Sequence, residues 1–159
     1  MEQANCVVKQ ALSSNPFTKG PVQSAGYILN AGSEQFIQDC VHKLQQDHAA
    51  SLLIFPEGTR TAKGEQLNDF QRGAANIALR AGVPIRPVLI SCTPSTLTKN
   101  EKWYHIPEQP FHIHVKVLDA IRVEDVLDDV TVNPKNVRQL NQQLQWFFNQ
   151  ELSVNEQSC

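Results

Sequence analysis

No stretch of the 159 residues approaches the roughly 20 consecutive apolar side chains that a helix needs to cross a bilayer, so any membrane contact is expected to be peripheral or supplied from outside this chain. The opening MEQANCVVKQ has no basic region followed by an apolar run and is not read as a secretory signal. Cysteine is sparse and scattered. Cys6, Cys40, Cys92 and Cys159 lack the paired spacing of a zinc site or a small disulfide scaffold and are expected to be cytosolic thiols. Neither sign of charge dominates: 14 Lys and Arg stand against 16 Asp and Glu, for a net charge of -2. No global basic field therefore draws the chain to nucleic acid or to an acidic membrane, and any anion site must be local. Internal repeats and low-complexity tracts are missing too, which leaves SVNEQSC (153–159) as a flexible tail after a single domain over residues 1–152.

What is present is ordinary globular material, 41% hydrophobic and 19% charged, enough for one core. CVVK at residues 6–9 is a short β-branched run that begins abruptly, and AGYILNAG (25–32) is an apolar strand bounded by glycines. SEQFIQDCVHKLQQ opens on Ser33 as an N-cap and repeats Phe36, Ile37, Cys40, Val41 and Leu44 at helical spacing. The continuous run SLLIF (51–55) predicts a strand buried on both faces. A helix from about Arg72 to Ala81 follows, with a face of small residues closed by Gly82 and Pro84. VPIRPVLI (83–90) reads as a buried strand, FHIHVKVL (111–118) as a half-exposed one, and NPKNVRQLNQQLQWFFNQEL as a C-terminal helix. The alternation predicts an α/β fold, a mostly parallel mixed sheet flanked by helices.

The chemistry concentrates where the 51–55 strand ends, in PEGTR (56–60). Ligands of open α/β sheets gather at the carboxyl ends of the strands. There Gly58 lets a backbone approach, Thr59 offers a hydroxyl, and Arg60 can meet an oxyanion with two parallel N–H donors. Glu57 would either orient Arg60 or accept a ligand hydroxyl. The plain alternative is a strand-exit turn with a surface ion pair worth about 0–1 kcal/mol.

FPEGTRT (55–61) resembles the most diagnostic block of the glycerolipid acyltransferases, the family that includes 1-acylglycerol-3-phosphate O-acyltransferase. Its surroundings match in order: CVVKQAL and NPF resemble the segment after the family's first block, AGYI its second, and LNDFQRGAANIALRAGVPIRPV the stretch into its fourth, with Phe70, Arg72, Gly73 and Pro84 in the expected places. The likeness runs from about Cys6 to Ser91, continues weakly through TLTKNEKWYHIP, and leaves the last helix unassigned. The chain looks most like bacterial members.

The resemblance implies transfer of an acyl group from acyl carrier protein or a CoA thioester to the hydroxyl of a lysophospholipid-like acceptor, with no resident cofactor or metal. Arg60 matches the arginine that holds the acceptor's phosphate, Glu57, Gly58 and Thr59 the rest of that cradle, and Lys9 a lysine that shares the task, or else a solvated strand end. Arg72 supports the loop or a helix N-terminus. Asn30 stands where the family often carries an arginine, and Arg86 is either a contact or an exposed side chain. The family's base is the histidine of a His-x4-Asp block upstream of the VVK segment. Only Met1 to Asn5 precede that segment here, so the chain is expected to be N-terminally truncated and to lack that base. His42 and Asp47 meet the spacing inside a helix, where residues five apart do not face one another. His112 and His114 share a strand face without carboxylate or cysteine partners, and His48 and His105 form no pattern. A thiol hydrolase built on Cys40 or Cys92 has no paired histidine. Trp146, Phe147 and Phe148 are expected to pack into the core rather than anchor a membrane. The expectations are thus an acyltransferase, alternatively a non-catalytic phosphate-binding relative, cytoplasmic or peripheral on the inner face of a bacterial membrane, with self-association through an exposed sheet.

Overall fold

The β-branched run near the N-terminus becomes the centre of a sheet. In the computed structural model, which describes residues 4–30, 32–47, 49–102, 104 and 107–156, strand β1 (Ala4–Lys9) lies between β2 (Ile28–Asn30) and β3 (Ser51–Leu53), both parallel to it. Val7 pairs with Ile28 and Asn5 with Leu52, which puts these four on one face. Helices α1 (Ala11–Ser14) and α2 (Pro16–Ser24) connect β1 to β2. Asn15 caps α2 through a side-chain bond from the Phe17 amide, with Pro16 at its first position.

Helix α3 (Glu34–Gln46) starts at Ser33, whose hydroxyl accepts from the Phe36 amide at 3.2 Å. Its predicted apolar stripe, Phe36, Ile37, Cys40, Val41 and Leu44, is buried against Val7 and against Ile77 of α4 (Gly73–Ala81). Ala75, Ala78 and Leu79 turn to a second cluster built on Phe70, Val123, Leu127 and the long helix α5 (Pro134–Glu156), where Leu140 is wholly buried. Helix α4 is therefore wedged between α3 and α5, and its alanines let the neighbours close in. Gly82, at φ +66°, ends it in the left-handed conformation that suits glycine.

The remaining strands, β4 (Val88–Thr93) and β5 (His112–Val117), form an antiparallel pair. Leu89 is buried, and Lys116 beside it reaches Glu151 of α5 at 3.1 Å, so that face turns to α5. The opposite face aligns Val88, Ile90 and Cys92 with Val117, Val115 and Ile113. Ile90, Ile113, Val115 and Val117 are all more than half exposed.

The expected α/β fold, with a parallel sheet flanked by helices, is what the chain adopts; the elements differ from their predicted bounds in instructive ways. The 83–90 strand starts late because Pro84 and Pro87 have no amide to give a ladder, leaving only an isolated bridge between Ile85 and Ile121. The 51–55 run is a strand only to Leu53, and Leu53 and Phe55 remain exposed where burial on both faces was expected. Likewise β5 is exposed along its whole length. Helices α3 and α4 cover the face of the parallel strands that carries Val7, Ile28 and Leu52, so Leu53 and Phe55, of the other parity, stay in solvent. Helix α5 continues through residues 153–156, which the sequence reading assigns to the tail; residues 157–159 lie outside the described residues, as do His48 and His105.

Candidate functional site

Past β3 the chain turns sharply at Phe55–Pro56–Glu57–Gly58. The Phe55 carbonyl accepts from the Gly58 amide at 3.0 Å, with proline at the second position and glycine at the fourth, the residue choice that a type I turn favours. Gly58 sits at φ +65°, where a side chain would be strained, although a Cβ there would meet only Gln71 Cγ at 3.5 Å, an ordinary contact. The constraint at Gly58 is conformational.

Glu57 organises this loop from within. Its Oε2 accepts from the Asn68 amide and the Asn68 side chain, both at 2.8 Å, and from the Thr61 hydroxyl at 3.1 Å. The carboxylate therefore does not orient Arg60, one of the two roles expected for it. Asn68 is held in turn by α5: Gln145 Oε1 accepts from the Phe70 amide at 2.8 Å, Gln145 Nε2 donates to the Asn68 carbonyl at 3.2 Å, and Asn141 donates to the Phe70 carbonyl at 3.0 Å. Gln71 closes the ring by donating its amide to the Pro56 carbonyl at 2.8 Å.

Arg60 is exposed and tied to a second loop. Its guanidinium donates to the Leu97 carbonyl at 3.1 Å and to the Glu101 carbonyl at 3.3 and 3.4 Å, while the Lys99 amide donates to the Thr61 carbonyl at 2.9 Å. Two loops are thereby laced together at the rim of the sheet.

Beside the turn lies a cavity of about 60 Å³, lined by Val7, Asn30, Ile54, Phe55, Pro56 and Gly58 from the strand ends and by Gln71, Gly73, Ala74 and Ile77 from the start of α4, with Phe36 of α3. It opens at the carboxyl ends of the parallel strands. The N-terminus of α4 faces it without a side-chain cap: Arg72 occupies the cap position, and the first turn's amides have no partner within the helix. Amides so placed, at the positive end of the helix, favour an anion.

Of the five residues expected to hold the phosphate, Gly58 lines this cavity, together with Asn30 and Gly73 from the other matched blocks. Lys9 stands at the exposed end of β1, paired in register with the lining residue Asn30. Thr59 and Arg72 are exposed near its rim, and Arg60 points its guanidinium at the second loop. Asn68, Gln71, Asn141 and Gln145 went unmarked in sequence; they are ordinary polar residues whose role depends on partners up to 77 positions away. His42 is exposed on α3, and Asp47 caps that helix while accepting from the Ala49 amide at 2.9 Å. His112 and His114 are exposed on β5, and no group of potential metal ligands occurs among the described residues. Arg86 is exposed and donates to the Leu118 carbonyl at 3.2 Å. Phe148 packs edge-on against Phe70 at 5.2 Å, whereas Trp146 is 60% exposed.

Known proteins share this arrangement of sequence and fold. Residues 2–91, more than half of the chain, match the family described as Acyltransferase. The chain is 36% identical over 86 residues to 1-acyl-sn-glycerol-3-phosphate acyltransferase alpha of Mus musculus, a match covering 54% of this chain and 29% of that protein. It is 33% identical over 89 residues to the 1-acyl-sn-glycerol-3-phosphate acyltransferase of Helicobacter pylori, covering 53% of this chain and 37% of that one. In fold it is similar to the 1-acyl-sn-glycerophosphate (LPA) acyltransferase PlsC of Thermotoga maritima, with a TM-score of 0.65 at 20% identity over 95% of this chain and 57% of that one. The matched region is thus about a third of the curated relatives' length.

Proposed function

Because the chain belongs to the Acyltransferase family, within which it is 1-acylglycerol-3-phosphate acyltransferase-like, we propose that it takes part in transferring an acyl group from acyl carrier protein or a CoA thioester to the hydroxyl of a lysophospholipid-like acceptor. This part of the protein binds the acceptor's phosphate. One observation carries the reading: the family's FPEGTRT block is folded as a braced turn whose Gly58 shares a cavity with the uncapped N-terminus of α4, at the carboxyl edge of the parallel strands. A phosphomonoester entering there would meet the α4 amides, with Lys9 and Arg60 at the rim; Arg60 has to exchange its bonds to the Leu97 and Glu101 carbonyls for the stronger charge-assisted ones that a phosphate offers. Thr59 adds a hydroxyl and Arg72 a charge at the cap. The enzyme works in the cytoplasm or on the inner face of a bacterial membrane, in peripheral contact with it.

A second reading, a phosphate-binding relative that does not catalyse, is favoured by two features. No histidine lines the cavity among the described residues, and one Glu57 oxygen is saturated by the loop. Two measurements test both readings. Glycerol 3-phosphate at about a hundred times its Kd should stabilise the fold by about 2.7 kcal/mol and raise Tm by several degrees, an effect that Arg60→Ala removes. An acyl-transfer assay with lysophosphatidate and acyl-CoA then separates the two, since product marks the enzyme and a shift without product marks the binding relative. Absence of both a shift and product in the wild-type chain overturns both.

A further inference from the structure

The loop that Arg60 and Lys99 fasten to the candidate headgroup turn has a surface that the phosphate reading does not use. Leu97, at its tip, is 44% exposed and sits at φ +56°, a conformation that a bulky side chain seldom adopts; Asn100 follows at φ +75°. Tyr104 is 60% exposed, with the Lys102 ammonium 5.7 Å from its ring centroid. Lys99 and Lys102 are exposed on this loop, and Lys63 is exposed on the partner loop two residues beyond Thr61, whose carbonyl takes the Lys99 amide. Glu101 turns a carboxylate oxygen inward to the Thr98 amide at 2.7 Å, and Glu65 and Asp69 are exposed on the partner loop.

Three lysines around an exposed leucine and tyrosine combine two chemistries that belong together at one kind of surface. The cations suit anionic headgroups, and the leucine and the amphipathic tyrosine ring suit the boundary between headgroup and acyl chain. A polyanion such as nucleic acid would call for a wider basic face than a chain of net charge -2 provides. We propose that Lys63, Leu97, Lys99, Lys102 and Tyr104 form a docking surface for an anionic lipid bilayer. The proposal rests on the reading above in one respect, that the acceptor lies in a bilayer. It adds which face of the molecule meets that bilayer, and it sets the headgroup turn against the membrane through the bond from the Lys99 amide to the Thr61 carbonyl, which remains when Arg60 turns to a phosphate.

Co-sedimentation tests it with vesicles of phosphatidylcholine and of equimolar phosphatidylcholine and phosphatidylglycerol. The chain should pellet with the phosphatidylglycerol vesicles and be released by salt. Lys99→Gln with Lys102→Gln should weaken partitioning about twenty-fivefold, about fivefold for each lysine, and Leu97→Ser should weaken it further. All three positions are exposed, and an unchanged Tm confirms that each variant is folded. Equal binding to both vesicle types, or a double variant that binds like the wild type, overturns the proposal. Glycerol 3-phosphate reads the headgroup site with no bilayer present. If it raises Tm while vesicles fail to bind, the docking surface falls and the phosphate reading stands; vesicle binding without that shift has the reverse meaning.

Discussion

Glu57 is half-buried and spends one oxygen on three donors, two of them from Asn68. In Glu57→Ala the Asn68 amide loses its acceptor in a partly enclosed loop, at a cost of about 1–3 kcal/mol. Thermal unfolding should show a Tm lower by roughly 2–4 °C for each kcal/mol, and Glu57→Gln, which keeps one carbonyl oxygen, should lose less. A second residue makes a pH prediction. Cys40 is fully buried in the cluster under β1, and burial, reinforced by Asp39 and opposed by Lys43, pushes its thiol up to about 11. The unfolded chain ionises at the ordinary thiol value of 9.0, so between these values the folded state holds the additional proton. The contribution to stability is complete below 9.0 and is lost as pH rises towards about 11. Urea midpoints measured across that interval should decline more steeply for the wild type than for Cys40→Ala.

Helix α5 is both a wall of the core and a brace for the turn, because Asn141 and Gln145 hold the Asn68–Phe70 backbone that feeds Glu57. Gln145→Ala should therefore cost about 1–3 kcal/mol in denaturant unfolding and also weaken the stabilisation by glycerol 3-phosphate, although the residue does not line the cavity. A substitution acting through the core alone would lower stability and leave ligand affinity untouched. The element scale also shows what was legible beforehand. The stripe of α3, the Ser33 cap and the Gly82 stop are local signals, and each marks its helix correctly, as FPEGTRT marks the turn. Strand burial was not legible, because an apolar run such as SLLIF looks the same whether one face or both are covered, and coverage is decided by helices elsewhere in the chain. The brace escaped for a related reason. Nothing in an isolated glutamine announces a partner 77 residues earlier.

At the scale of the molecule, the helices α3, α4 and α5 lie to one side, and the opposite faces present Leu53 and Phe55 near the parallel strands and Ile90, Ile113, Val115 and Val117 on the antiparallel pair. Contiguous apolar strand faces and open edges favour association between chains. Light scattering should detect concentration-dependent oligomers, and Val115→Lys, which places a charge in the middle of the exposed ladder, should shift the population towards monomer. A wild-type chain that stays monomeric at all concentrations would show that these faces are inert. The tie between Gln145 and Asn68 reaches further, into synthesis. The turn that precedes Arg60 leaves the ribosome long before the residue that braces it, so a nascent chain cannot complete this brace until α5 has emerged, and translation halted short of Gln145 should yield a product whose family signature is present but unbraced.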